Sequence, residues 1–96
     1  MARFHLTVKM NREFVLLGER IKLARLRRKF TCQQVAERSG IPILRLLEIE
    51  LGNSDISIGE YAAVLYSLNL EKDIYKIAED DLLGRKLQDI ELLGKD

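Results

Sequence analysis

Residues Thr31 to Gly52 read TCQQVAERSGIPILRLLEIELG, and their spacing decides the fold. Ala36 stands where two helices cross and only a small side chain fits. Gly40 falls in the short connection, where a turn often needs a positive φ that only glycine adopts cheaply. Val35, Ile41, Leu46 and Ile49 are the apolar positions that lock the pair together. Six positions agree at once and predict a helix-turn-helix, whereas any one alone would carry no weight. The boundaries agree with the spacing. Thr31 and Gln34 form a capping box for the first helix of the pair, Pro42 suits the first position of the second, and Gly52 ends it.

Upstream of the pair, from Asn11 onward, the pattern is helical. Leu17, Ile21, Ala24 and Phe30 line one face, with Leu16, Leu23 and Leu26 as a second apolar stripe beside it. Downstream, Asn53 to Ile56 read as a polar connection. Ser57 and Glu60 make another capping box, opening a helix whose Ile58, Tyr61, Ala62, Leu65 and Leu68 face inward. A fifth helix is expected over Glu71 to Glu79, and Asp81 caps a last amphipathic segment carrying Leu83, Leu87 and Ile90. At the other end, Phe4, Leu6, Val8 and Met10 alternate with Arg3, His5, Thr7 and Lys9, the only strand signal in the chain. A lone strand needs a mate, most simply its copy in a second subunit. The alternatives are a loose arm or a true start at Met10. The expected organisation is an N-terminal β-strand arm over 1–10, an all-α five-helix domain over 11–80 and a C-terminal amphipathic extension over 81–96.

Ninety-six residues bound this to one small domain, too small for a deep substrate cleft. Hydrophobic residues at 47% and charged residues at 32% are the balance of an ordinary globular protein. No apolar run reaches membrane length and the start lacks the marks of a signal peptide, so a cytoplasmic protein is expected. Cys32 is the only cysteine, which excludes an intrachain disulfide and a zinc site built on thiolates. It falls early in a helix, where the dipole favours a thiolate; the readings are a redox sensor or a small, partly buried side chain. His5, the only histidine, has no Cys or acid at ligand spacing, which leaves no material for a metal site or a Ser-His-Asp arrangement. Glycines 18, 40, 52, 59, 84 and 94 are scattered as punctuation and form no phosphate-cradling loop. Tyr61, Tyr66 and Tyr75 lie in helical segments and read as core or rim before they read as a base-stacking platform. Neither an enzyme nor a cofactor is expected.

The net charge of +1 hides a polarity. Residues 1–45 hold eleven Lys and Arg against three acids, an excess of +8, while 46–96 hold five against twelve, an excess of −7. One half attracts a polyanion and the other repels it.

With these features in place, LGERIKLARLRRKF, TCQQVAERSGI and EIELGNSDISIGEYAAVLYSLNL together resemble the Xre-type helix-turn-helix domain of the lambda-repressor-like fold. The tail DDLLGRKLQD looks like that of the HipB-like antitoxins encoded beside HipA-family kinase toxins. The resemblance covers about Leu16 to Asp89. It implies that Thr31 and Gln33 meet a DNA phosphate, that Pro42, Ile43, Leu44, Arg45, Leu47 and Glu48 occupy the helix entering the major groove, and that Asn53 and Ser54 return to the backbone. Arg20, Arg27, Arg28 and Lys29 would supply nonspecific phosphate attraction. Where relatives tend to carry Ser, Arg, Gln or Thr, this chain presents Pro42, Ile43, Leu44 and Leu47, residues able to meet thymine methyls but unable to make the bidentate bonds that read guanine or adenine. The expected function is a homodimeric regulator that binds double-stranded DNA, represses its own operon and neutralises a HipA-like kinase. The rival readings are a helix-turn-helix used mainly for protein interaction and a free-standing phage-type repressor.

Overall fold

A computed structural model describes residues 4–79 and 90–94, and over these the protein is all-α. Helix α1 spans Val8–Arg27, α2 Cys32–Ser39, α3 Ile43–Glu50, α4 Ile58–Ser67, α5 Lys72–Tyr75 and α6 Ile90–Gly94. Helix α2 packs on both α3 and α4, and α1 packs on α3.

The expected N-terminal strand is not formed. Phe4 to Thr7 are irregular, and Thr7, extended at φ −69° and ψ 162°, caps α1 by accepting a bond from the Met10 amide at 3.0 Å. Val8 and Met10, the second half of the alternating run, thus lie in the first turn of a twenty-residue helix, and both are exposed. The period-2 pattern arose from apolar residues that no neighbouring element buries. Helix α3 begins one residue later than expected, with Pro42 as its extended cap and Ile43 first. Helix α5 stops at Tyr75 and continues only as turns to Glu79, with Ala78 in the left-handed region at φ 59°. Asp81, Leu83 and Leu87 lie outside the described residues.

The core is built by Ile21, Ala24, Val35, Ala36, Leu46, Ile49, Ile56, Tyr61, Val64, Leu65 and Leu68, with Leu17, Phe30 and Ile41 partly buried against it. Val35, Ala36, Leu46 and Ile49 therefore stand where their spacing predicts. Leu23 and Leu26 instead remain about half exposed, and Ile58 faces outward while Ile56, assigned to a polar connection, is buried. Tyr61 is a core residue whose hydroxyl donates to the Asn53 carbonyl at 2.8 Å, whereas Tyr66 and Tyr75 are exposed.

Two glycines prove to be packing residues. A Cβ on Gly18 would lie 2.6 Å from the carbonyl oxygens of Ile49 and Glu50, and one on Gly52 would lie 2.4 Å from the Val15 Cα. Both contacts join α1 to the end of α3 at a separation that only a hydrogen side chain permits. Gly52 and Gly40, at φ 86° and 71°, also take the left-handed conformation that closes their helices.

Candidate nucleic-acid interface

Helices α2 and α3 carry most of the residues in question. At the start of α2 the Thr31 Oγ1 accepts from the Gln34 amide at 3.1 Å, and the Gln34 side chain accepts from the Thr31 amide at 2.8 Å. This reciprocal cap fixes the helix start while leaving Thr31 and Gln33 exposed. The Gln33 amide donates to Glu37 Oε1 at 3.2 Å. Arg27, Arg28 and Lys29 end α1 and lead directly into this cap, so chain connectivity brings them beside the N-terminus of α2. Arg20 lies about two turns further back on α1 and does not join them. Of these four cations Arg28 is the most constrained, its Nη1 donating to the Ala24 carbonyl at 2.9 Å.

On α3 the residues divide by face. Leu46 and Ile49 are fully buried, whereas Ile43, Leu44 and Leu47 are 42, 68 and 40% exposed and Pro42 is exposed as well. The partial exposure of Leu47 sets it apart from the core.

The polar residues of this helix are engaged within the protein. Arg45 binds the Glu60 carboxylate in bidentate fashion, Nε and Nη2 each at 2.8 Å, and its Nη1 lies 3.5 Å from Glu48 Oε2. Asn53 Nδ2 donates to Glu48 Oε2 at 3.2 Å, while its Oδ1 accepts from the Asp55 amide at 2.8 Å. Ser54 is half-buried beyond it. The outward face of α3 is therefore apolar, and its one arginine is tied to α4.

Glu60 itself accepts from Arg45 and from the Ser57 hydroxyl and amide, at 2.9 and 3.2 Å for the last two. The Arg45 bond, followed by that of Ser57, holds its carboxyl pKa at about 2, below the ordinary 4.5. A depressed carboxylate stabilises the fold above the unfolded-state value, and that stabilisation is lost as the pH falls from 4.5 toward 2. Acid unfolding of Glu60→Gln is accordingly expected to lack part of the wild-type loss in that window. Superimposable acid limbs of the two proteins would refute this.

Sequence spacing gave no sign of a second ion pair. Arg25 and Glu50 are buried together, with Nε to Oε2 at 2.7 Å and Nη2 to Oε1 at 3.2 Å, and the third guanidinium nitrogen donates to the Phe30 carbonyl at 3.0 Å. The hydrogen bonds that Arg25 donates to Glu50 raise its pKa above the usual value, outweighing desolvation. The Arg38 guanidinium stacks 4.2 Å from the centroid of the Phe30 ring. With Arg25 and Arg45 each paired to an acid of the second half, the opposing charge excesses fall from +8 and −7 to +6 and −5. Among the described residues, no three His, Cys, Asp or Glu side chains gather as a metal site requires, and no helix is long and apolar enough to cross a membrane.

No family model matches this chain, and no curated protein is matched by its sequence.

Proposed function

We propose that α2 and α3 form a DNA-binding helix-turn-helix of the lambda-repressor-like kind and that the protein is a homodimeric transcriptional repressor. One observation carries this reading: α3 buries Leu46 and Ile49 yet turns Ile43, Leu44 and Leu47 outward, beside an α2 whose capped N-terminus stays exposed. A helix needed only for the core has no reason to present three large residues outward in register. In this reading Thr31, Gln33 and the cations Arg27, Arg28 and Lys29 meet phosphates, with Arg20 contributing at longer range. The apolar residues of α3 press on thymine methyls. Two copies read half-sites about one DNA turn, roughly 34 Å, apart. The likeness of DDLLGRKLQD to HipB-like tails supports the narrower reading of an antitoxin that represses its own operon and restrains a HipA-like kinase. Co-purification with a kinase encoded beside it tests that part, and a neighbourhood without such a kinase leaves the free-standing repressor.

The DNA reading is tested by salt. Four phosphate contacts per subunit give a slope of log K against log salt of about −3.6, so raising salt from 50 to 200 mM should weaken promoter binding by roughly a hundredfold per subunit. Fluorescence anisotropy on the chain's own promoter measures this. A flat salt response would remove the electrostatic part of the proposal.

A further inference from the structure

The exposed apolar surface extends well beyond the residues that a DNA reading uses. Leu51, past the end of α3, is 78% exposed, and with Leu47, Lys22 and Glu50 it lines a shallow groove of about 230 Å³ between α1 and α3. Val15 lies nearby, its backbone packed against Gly52, the residue after Leu51. Lys22 and Leu26 follow Val15 at i+7 and i+11 on one stripe of α1, and Leu23 lies on its outer edge. Val15, Leu23 and Leu26 are each about half exposed. Leu47 and Leu51 at the groove, with Val15, Leu23 and Leu26 along the adjoining side of α1, thus leave five large apolar side chains exposed on α1 and at the end of α3, a surface that water disfavours.

The charges around this face choose its occupant. Glu50 is already bound by Arg25, so Lys22 is the cation at the groove. Arg12, Lys9, Arg27 and Arg20 follow along the exposed side of α1, which also carries the exposed acids Glu13 and Glu19, so that with Lys22 five cations stand against two acids there. A second copy placed against this face would bring mainly like charges together.

We propose that the α1/α3 face docks an amphipathic helix of another protein, one whose apolar stripe is flanked by Asp or Glu. The leucines accept the stripe, and Lys22 and the basic side of α1 pair with the acids. This docking does not require DNA binding, though it shares Leu47, Arg20 and Arg27 with that reading.

The test uses a fluorescein-labelled helical peptide of about five turns, with Leu at i, i+3, i+4 and i+7 and Glu on both flanks. Two controls replace every Glu with Lys or every Leu with Ala. Anisotropy should show the Glu peptide binding the full chain at least about tenfold more tightly than either control, as for a face with both an apolar anchor and a charge preference. The double variant Leu26→Gln/Leu51→Gln, altered at exposed positions, should lose about tenfold of that affinity with its melting temperature unchanged. Lys22→Glu should independently weaken the Glu peptide and strengthen the Lys peptide. Absence of binding, equal binding of the Glu and Lys peptides, or indifference to both variants would overturn the proposal. So would self-association of the wild-type chain that the double variant abolishes, which would make the occupant a second copy. No arm of the experiment contains DNA, so failure here is separate from failure of the repressor reading.

Discussion

Replacing Arg25 with methionine is expected to remove about 3–5 kcal/mol of folding stability, the usual consequence of breaking one partner out of a buried ion pair. The side chains of Arg25 and Glu50 are only 9 and 6% exposed. Arg25 Nε and Nη2 grip both carboxylate oxygens, and Nη1 satisfies the Phe30 carbonyl. Without the guanidinium, Glu50 must either hold an uncompensated charge between α1 and α3 or take up a proton, and the Phe30 carbonyl loses a donor. The double variant Arg25→Met/Glu50→Leu should recover most of the loss, since neither desolvation cost remains and both new side chains are apolar. Urea denaturation of the single and double variants checks this. A loss below about 1 kcal/mol for the single variant is the value of an exposed pair and would show that water reaches this one.

The second large effect is expected at Gly52. An alanine there must adopt φ 86°, which costs roughly 1–2 kcal/mol, and must fit a methyl 2.4 Å from the Val15 Cα, for which overpacking adds about 1–3 kcal/mol. The nearest atoms belong to backbone, so rotamer changes cannot relieve the contact. A loss of roughly 3 kcal/mol follows. Two other glycines serve as internal controls. Gly40 is also left-handed but has nothing within 4 Å of an added Cβ, so Gly40→Ala should cost only about 1–2 kcal/mol. Gly59 lies in α4 with ordinary φ and a single distant neighbour, the Ser57 hydroxyl at 3.9 Å. Gly59→Ala should therefore stabilise, by about 0.5–1 kcal/mol. Thermal melts of the three variants should rank in that order, and equal losses at 40 and 52 would mean that the approach of α1 to Gly52 is looser than described.

These residues also mark where sequence reading stops. The burial of Val35, Ala36, Leu46 and Ile49 and the capping boxes at Thr31 and Ser57 were legible because each depends on neighbours within a few positions. The Arg25–Glu50 pair was not, since it joins residues twenty-five apart and each was counted as free charge in its own half of the chain. Gly18 passed as punctuation because nothing local distinguishes a glycine that admits another helix from one that ends its own. The alternation at Phe4 to Met10 misled for the opposite reason. A period of two over a few residues is easily met by chance, and the cap at Thr7 together with the twenty helical positions that follow outweighs it. Of the candidate interface, the outward turn of Ile43, Leu44 and Leu47 followed from helical spacing once Leu46 and Ile49 were assigned inward. The engagement of Arg45 by Glu60 could be suspected only by packing α4 against α3, a placement that sequence does not provide.

On the proposed DNA reading, that engagement narrows what α3 would read. With Arg45 held by Glu60 and Glu48 close by, the exposed side of α3 offers methyl and methylene groups and few free hydrogen-bond donors. In the major groove such a surface recognises the C5 methyl of thymine through contact alone. The same methyl sits at the same place on 5-methylcytosine, so a helix of this composition has little means of telling the two bases apart. If the proposed repressor reading holds, its operator would depend on the epigenetic state of the DNA as well as on its letters: methylating a cytosine under Leu44 or Leu47 would supply the contact that a thymine methyl supplies.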